Sequence, residues 1–175
     1  MKRAIVSFLT LVLASSPLLA QDEPTLVPDV INFQKLLPVL PEPPSGWSAD
    51  KPEGSTTDAG GAKITTVHRD YKKGDADNAP TTSISIIDAA ANPDYVEVAT
   101  AGWNVTQTTT EGYAKPLTIE GNPGFETYEN EPKHGTIWLL VTKRYLLQVD
   151  VNAQDSKELQ DWLKRVDLKK LAAVK

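Results

Sequence analysis

The sequence predicts an α+β fold, in which helices cover both faces of an antiparallel sheet. Predicted strands fall in two runs, residues 62–87 and 113–152, and predicted helices lie before, between and after these runs. This is the element order of α+β domains. Residues 137–141 are apolar without interruption, which is typical of a central strand that is buried on both sides. Each face of the sheet is therefore expected to carry a helix layer.

The first predicted helix and the stretch after it precede the sheet. Residues 30–37 have the apolar spacing of about two helical turns, and Pro38 ends them because proline lacks the N–H that would continue the helix. The chain then reaches Trp47 through further prolines, namely Pro41, Pro43 and Pro44. This composition predicts an extended strap across the fold with Trp47 as its buried anchor. The alternative is a proline-rich ligand for another domain.

A hairpin and a helix follow the strap. Residues 62–71 and 81–87 are rich in β-branched side chains and flank a polar loop, which predicts two antiparallel strands. Asn92 and Pro93 are typical of the cap and the first position of a helix. Three apolar residues then share one helical face, which predicts that this face contacts the core: Val96, Ala99 and Trp103.

The second run of strands ends in a helix. Its predicted strands span residues 113–120, 125–130, 136–142 and 145–152. Asp155 and Ser156 are predicted to cap the last helix. Its apolar face is regular at helical spacing and is extended by Leu168 and Leu171. The face comprises Leu159, Trp162, Leu163 and Val166.

Four short sequence patterns, each different, lie along the second run of predicted strands. They are Gly112-Tyr113, Ile119-x-Gly121, Gly124-Phe125-Glu126-x-Tyr128 and the stretch from Arg144 to Val149. With these patterns, residues 30–172 resemble the PsbP/Mog1-like family, and the Leu-Pro-x-x-Pro stretch before Gly46-Trp47 is similar to a group of uncharacterised secreted bacterial proteins. The resemblance implies a three-layer sandwich and, because family members are mostly accessory or binding proteins, a binding role. It carries over no functional residue.

The N-terminal residues predict export. A basic start at Lys2 and Arg3 is followed by a short apolar run, and the small residue Ala20 precedes a polar stretch, as in a signal peptide. We therefore expect a signal peptide at 1–20, a flexible lead-in at 21–29 and one domain at 30–175. An uncleaved anchor is the alternative. The chain has no cysteine, which excludes disulfides, thiolate metal sites and lipidation at the cleavage site.

The composition narrows the function classes. A formal net charge of −5 argues against nonspecific binding to nucleic acid or anionic lipid. The sequence has no G-x-S-x-G elbow, which would indicate a nucleophilic serine, and no P-loop, which would indicate phosphate binding. His68 and His134 are the only histidines, too few for a typical zinc site without carboxylates. We expect no metal and no cofactor, and a monomer.

Four residues are candidate ligand-binding positions. Asp88 ends a predicted strand ahead of a helix, and Arg69 and Arg144 are strand-associated cations suited to an anionic ligand. Trp138 offers a flat ring for a sugar if it points away from Ile137 and Leu139, although a core position is favoured. For Asp88 the alternative is a cap that satisfies backbone N–H groups, and for the arginines it is pairing with surface acids.

These observations favour an exported, non-enzymatic accessory or protein-binding module. Its binding surface would be a sheet edge, a groove beside the middle helix, or the acidic stretch at residues 126–131. The alternative is a carrier of a small ligand or glycan in the cell envelope, with an envelope protein or that ligand as partner. A hydrolase without a recognisable motif ranks third, and the location is periplasmic or extracellular.

Overall fold

A computed structural model describes residues 28–60 and 62–175 of the chain. The predicted signal peptide at 1–20 and most of the predicted lead-in lie outside the described residues. Across the ranges that the structure does describe, no helix is long and apolar enough to cross a membrane.

Nine strands form one antiparallel sheet within the described residues. In space they follow the order β1-β3-β4-β9-β8-β7-β6-β5, and β2 also pairs with β3. Two meanders, β2–β4 and β5–β9, are joined where β4 pairs with β9. The α+β class and the antiparallel sheet are confirmed. The strands are β1 Ser48–Ala49, β2 Glu53–Ala59, β3 Ala62–Lys72, β4 Thr81–Asp88, β5 Gln107–Thr108, β6 Gly112–Ile119, β7 Asn122–Glu129, β8 His134–Val141 and β9 Tyr145–Asn152.

Strands β1 and β2 have no counterpart in the sequence predictions. The sequence of β2, Glu-Gly-Ser-Thr-Thr-Asp-Ala, has no apolar alternation, because the strand lies at the edge of the sheet and six of its seven residues are exposed. It forms through its pairing with β3, from Glu53 opposite His68 to Ala59 opposite Ala62. Main-chain pairing, and not a buried stripe, therefore defines this strand.

The helices are short. They are α1 Phe33–Leu36, a 3₁₀ turn Leu37–Val39, α2 Pro93–Thr100, α3 Lys157–Leu163 and α4 Leu168–Ala173. The predicted start of α2 is confirmed, since the Asn92 side chain accepts a hydrogen bond from the Tyr95 N–H at 3.3 Å. Ser156 stands at the cap of α3 but makes no side-chain cap bond. Asp167 begins a separate helix by accepting from the Lys170 N–H at 2.8 Å.

One face of the sheet, called the inner face, packs under α1, α3 and α4. Trp162, only 2 % exposed, lies at its centre. Its ring is 4.9 Å from the ring of Trp47 and 4.8 Å from that of Tyr71. Trp47 therefore packs against the core, but it is half-buried and not the buried anchor that the sequence predicts. Burying these aromatic rings together is a large stabilising contribution. The strands contribute alternate residues to this core, including Val67, Ile84, Ile86, Ile137, Leu139, Leu147 and Val149.

The other face, called the outer face, carries the intervening residues of the same strands. A row across four strands joins Ser85, Gln148, Trp138 and Phe125, and all four are half-buried. Trp138 therefore lies opposite the core, contrary to the position that we favoured. Trp103 is also half-buried and outside the core cluster. No residue of α2 is buried, and the helix layer on the outer face stays a prediction.

Candidate functional site: an acidic groove between β5, β6 and β7

Two of the four candidate residues meet in an ion pair at the ends of β4 and β9. Asp88 is fully buried, and Arg144 contacts both of its carboxylate oxygens. Arg144 Nη2 lies 2.7 Å from Oδ2, and Nε lies 3.0 Å from Oδ1. We call this pair the clasp. Its fork geometry is the strong form of an arginine–carboxylate contact.

The clasp fastens the first described residues of the chain to the sheet. Asp88 Oδ2 accepts from the Ile31 N–H at 2.6 Å, and Oδ1 accepts from the Ala90 N–H at 3.1 Å. Arg144 also donates to the Asp29 carbonyl at 2.8 Å. Both carboxylate oxygens are thus held by protein donors, which is how a buried charge is normally accommodated.

Arg69 fastens the strap. Its guanidinium donates to the Pro41 carbonyl at 3.0 Å and to the Asp50 carbonyl at 2.9 Å, and it lies 3.1 Å from a Glu42 carboxylate oxygen. The Tyr71 hydroxyl donates to the same Pro41 carbonyl at 2.7 Å. Arg69 therefore contacts the strap beside the inner face, whereas Trp138 lies on the outer face. The four candidate residues do not share one pocket.

A cavity at the β5 end of the sheet lies apart from all four of these residues. It encloses about 490 Å³ and is open to solvent. We call it the acidic groove and define it by six of its lining residues. These are Gln107 of β5, the tyrosines Tyr113 and Tyr128, and the carboxylates Glu111, Glu129 and Glu131.

Close packing of β6 against β7 forms the floor of the groove. A Cβ at Gly112 would lie 2.0 Å from the Tyr128 carbonyl oxygen, so only glycine permits this approach. The next residue, Tyr113, stacks on Tyr128 with ring centroids 5.9 Å apart. The Gly112-Tyr113 dipeptide thereby places an aromatic pair beside the three carboxylates.

A buried carboxylate fixes the aromatic pair from the inner face. Glu126, 2 % exposed, accepts from the Tyr113 hydroxyl at 2.5 Å and from the Gln160 amide at 2.6 Å. Lys115 lies 3.3 Å from the same carboxylate and 4.5 Å from the centre of the Tyr113 ring. Burial, and then the bond to Glu126, raises the pKa of Tyr113. Tyr113 therefore stays neutral and oriented.

The groove carboxylates differ from Glu126 in having no ionic partner. Across residues 28–60 and 62–175, no lysine, arginine or histidine lies within salt-bridge distance of Glu111, Glu129 or Glu131. Three like charges around one concavity produce a negative potential directed at solvent. The sequence predicts the acidic stretch at 126–131 as a binding surface, but it does not single out Glu111.

No metal site emerges from the geometry of the described residues, which contain no group of three or more suitable ligands. His68 lies 3.8 Å from Glu53, and His134 lies 3.0 Å from Asp150. Each histidine therefore has a single, different carboxylate neighbour. These are surface pairs of modest energy.

Comparison with known proteins returned no family model, no curated protein and no solved structure that matches this chain. The resemblance to the PsbP/Mog1-like family stays a prediction. The acidic groove is the feature from which a function can be argued.

Proposed function

We propose that this chain is an exported, non-enzymatic accessory protein whose acidic groove holds a basic segment of a protein partner. The observation that carries the proposal is the open cavity of about 490 Å³ that is lined by Tyr113, Tyr128 and three carboxylates for which the described residues supply no ionic partner. Export rests on the signal-peptide pattern of residues 1–20.

The chemistry of the groove selects for cations. A lysine or arginine side chain entering it would meet the three carboxylates, which attract a positive charge. The cavity volume lies within the range of small-ligand pockets, so a few side chains of a partner fit. Because the groove is open to solvent, a segment of a partner protein can enter it from the side.

The fate of the buried acids supports a binding role over catalysis. Asp88 is held by Arg144 and two backbone N–H groups, and Glu126 is held by Tyr113, Gln160 and Lys115. Neither carboxylate has an oxygen left without a protein partner. A general acid or base must reach the proton that it transfers, and these groups face protein instead.

We also infer that the connection from β4 to β5 forms the second helix layer of the sandwich. Residues 89–106 connect β4 to β5, and β9, β8, β7 and β6 lie between these two strands in the order of the sheet. Leu146 points to the outer face and is fully buried. Ala89, at the start of this connection, is fully buried too. Part of the outer face is therefore shielded from solvent. A crossing segment that contains α2 would supply this cover and would end at the groove.

The proposal is tested by calorimetric titration with an oligolysine peptide. We expect binding that weakens with salt and that falls about tenfold or more in the variant E111Q/E129Q/E131Q, because each exposed ion pair contributes up to about 1 kcal/mol. The matched control D58N/D94N/E97Q removes three exposed acids outside the groove. An equal loss in both variants, or no binding by the wild-type chain, would refute the proposal.

A glycan carrier is the second candidate, and the outer-face row favours it. Trp138 lies directly opposite Phe125 on one neighbouring strand and Gln148 on the other. An aromatic pair beside an amide suits the stacking and hydrogen bonding of a sugar ring. Envelope oligosaccharides should then quench tryptophan fluorescence in the wild-type chain and in Trp103→Ala, but not in Trp138→Ala. Quenching that survives in Trp138→Ala would exclude this site.

A further inference from the structure

The two ends of the sheet present different edges. At the β5 end the edge strand has two residues, Gln107–Thr108, and the adjoining strand β6 contains Pro116. At the other end, β2 runs for seven residues without proline or lysine. Short strands, prolines and lysines are the usual protection of an edge against pairing with another chain. The β2 edge lacks all three.

The pairing of β2 with β3 identifies the main-chain groups of β2 that have no strand partner among the described residues. Two residues separate Ala59 from Ala62, which are directly opposite. In such a hairpin this pair is hydrogen-bonded, and bonded and non-bonded pairs alternate along the ladder. Gly54, Thr56 and Asp58 therefore direct their N–H and C=O groups away from β3. The contact of 2.7 Å between the Thr56 and Thr65 hydroxyls fits the closer spacing of a non-bonded pair.

In place of the monomer that we expected from the sequence, we propose that the β2 edge pairs with the β2 edge of a second copy of this chain, antiparallel and about a twofold axis at Thr56. This register sets Thr56 opposite its own copy, Gly54 opposite Asp58 and Glu53 opposite Ala59. It is the register that pairs all seven residues of β2, and it matches outward-pointing groups with outward-pointing groups. About six main-chain hydrogen bonds would join the copies.

The side chains of β2 suit a second copy. The two carboxylates, Glu53 and Asp58, each face an uncharged residue, so no like charges stand directly opposite each other. Ser55 faces Thr57, and Thr56 faces itself, which are favourable hydroxyl pairs across strands. A contact in which the same patch serves both partners is the commonest form of homodimer. The sheet would continue antiparallel through the axis.

The inference has a consequence for the acidic groove. The groove lies at the β5 end, with the four strands β3, β4, β9 and β8 between it and β2 in the order of the sheet. Pairing at β2 would leave both grooves open, one at each end of the joined sheet. A partner with two basic segments would then bind more tightly to the dimer than to one chain, through effective concentration.

The test is sedimentation equilibrium of the purified chain from micromolar to millimolar concentration. We expect the mass to rise from that of one chain towards twice that value. Thr56→Lys and Thr56→Glu each place two like charges across the axis, so each alone should remain at the mass of one chain. An equimolar mixture of the two variants should restore the doubled mass, because the charges then attract.

Two controls keep the outcome specific. Thr56→Ala removes the hydroxyl contact to Thr65 but adds no charge, and it should dimerise like the wild-type chain. Circular dichroism of each variant checks that the fold is kept. A doubled mass in the mixture of Thr56→Lys and Thr56→Glu would show independently that both variants are folded. A wild-type chain that stays at the mass of one chain overturns the proposal and leaves the edge to a strand of a different protein. Variants that dimerise alone overturn the register.

Discussion

The clasp and the acidic groove hold carboxylates in opposite ways. In the clasp, Asp88 is fully buried and contacts Arg144 and two backbone N–H groups. In the groove, exposed carboxylates such as Glu129 face solvent without an ionic partner in the described structure. A buried charge must be compensated or it destabilises the fold, whereas exposed charges are solvated at little cost. Paired acids therefore indicate structure, and the acids around a concavity remain available for a partner.

Removing the Asp88 carboxylate is the change with the largest expected effect. Asp88→Ala leaves the Arg144 guanidinium half-buried without its partner and frees the Ile31 N–H, so we expect a loss of about 3–5 kcal/mol in the free energy of unfolding. Urea denaturation measures it. The double variant D88A/R144A should lose less than the sum of the single variants, because neither charge is then left alone. A loss below about 1 kcal/mol for Asp88→Ala would break the comparison between clasp and groove.

In the clasp, the sequence predicts part of the role of Asp88 but not its pairing with Arg144. The position of Asp88 between a predicted strand and a predicted helix suggested, as one alternative, that it satisfies backbone N–H groups, and in the structure it accepts from two of them. Arg144 is 56 residues away in the chain, and no local pattern pairs it with Asp88. Long-range partners depend on the register of β4 against β9. The sequence predicts the strands but not that register.

Other differences between the sequence-based predictions and the structure also arise from contacts between distant parts of the chain. Apolar periodicity located β3, β4, β8 and β9 because one face of each is buried, but β2 has no buried face and was missed. The apolar run at 137–141 predicted burial on both sides, yet Trp138 is half-buried on the outer face. The groove arises because a glycine lets β6 approach β7 and because Glu111 and Glu131 lie in turns on one side. Glu111 and Glu131 are distant in sequence and come together only in the folded chain, so no local pattern predicts the groove.

Alkaline pH provides the next largest test, on the inner face. Burial raises the pKa of Tyr71 to about 12, against about 10 in an unfolded chain. The unfolded state therefore loses this proton first, and the stability present below pH 10 falls by about 2–3 kcal/mol as the pH rises to 12. Urea unfolding across this range should show a flatter profile for Tyr71→Phe. Tyr95→Phe, at an exposed tyrosine, should keep the wild-type slope.

A smaller effect is expected at the buried carboxylate beneath the groove. Glu126 accepts from both Tyr113 and Gln160. In Glu126→Gln the side chain loses its charge, so its bonds to Tyr113 and Gln160 become neutral and its contact with Lys115 is no longer ionic, at a cost of about 1–3 kcal/mol. Thermal or urea unfolding measures the loss. Because Tyr113 would lose its orientation, oligolysine binding should weaken as well. If stability is unchanged, Glu126 does not fix the floor of the groove.

The smallest effect on stability is expected in the groove itself, and it sharpens the comparison most. Glu129→Gln and Glu131→Gln remove exposed charges that have no ionic partner among the described residues, so the free energy of unfolding should stay within about 0.5 kcal/mol of the wild-type value. Oligolysine affinity should nevertheless fall in both variants. The matched variant Glu97→Gln, on the exposed side of α2, should change neither quantity. A groove variant that lost stability to the extent of Asp88→Ala would show that these carboxylates hold the fold, and the distinction between paired and available acids would fail.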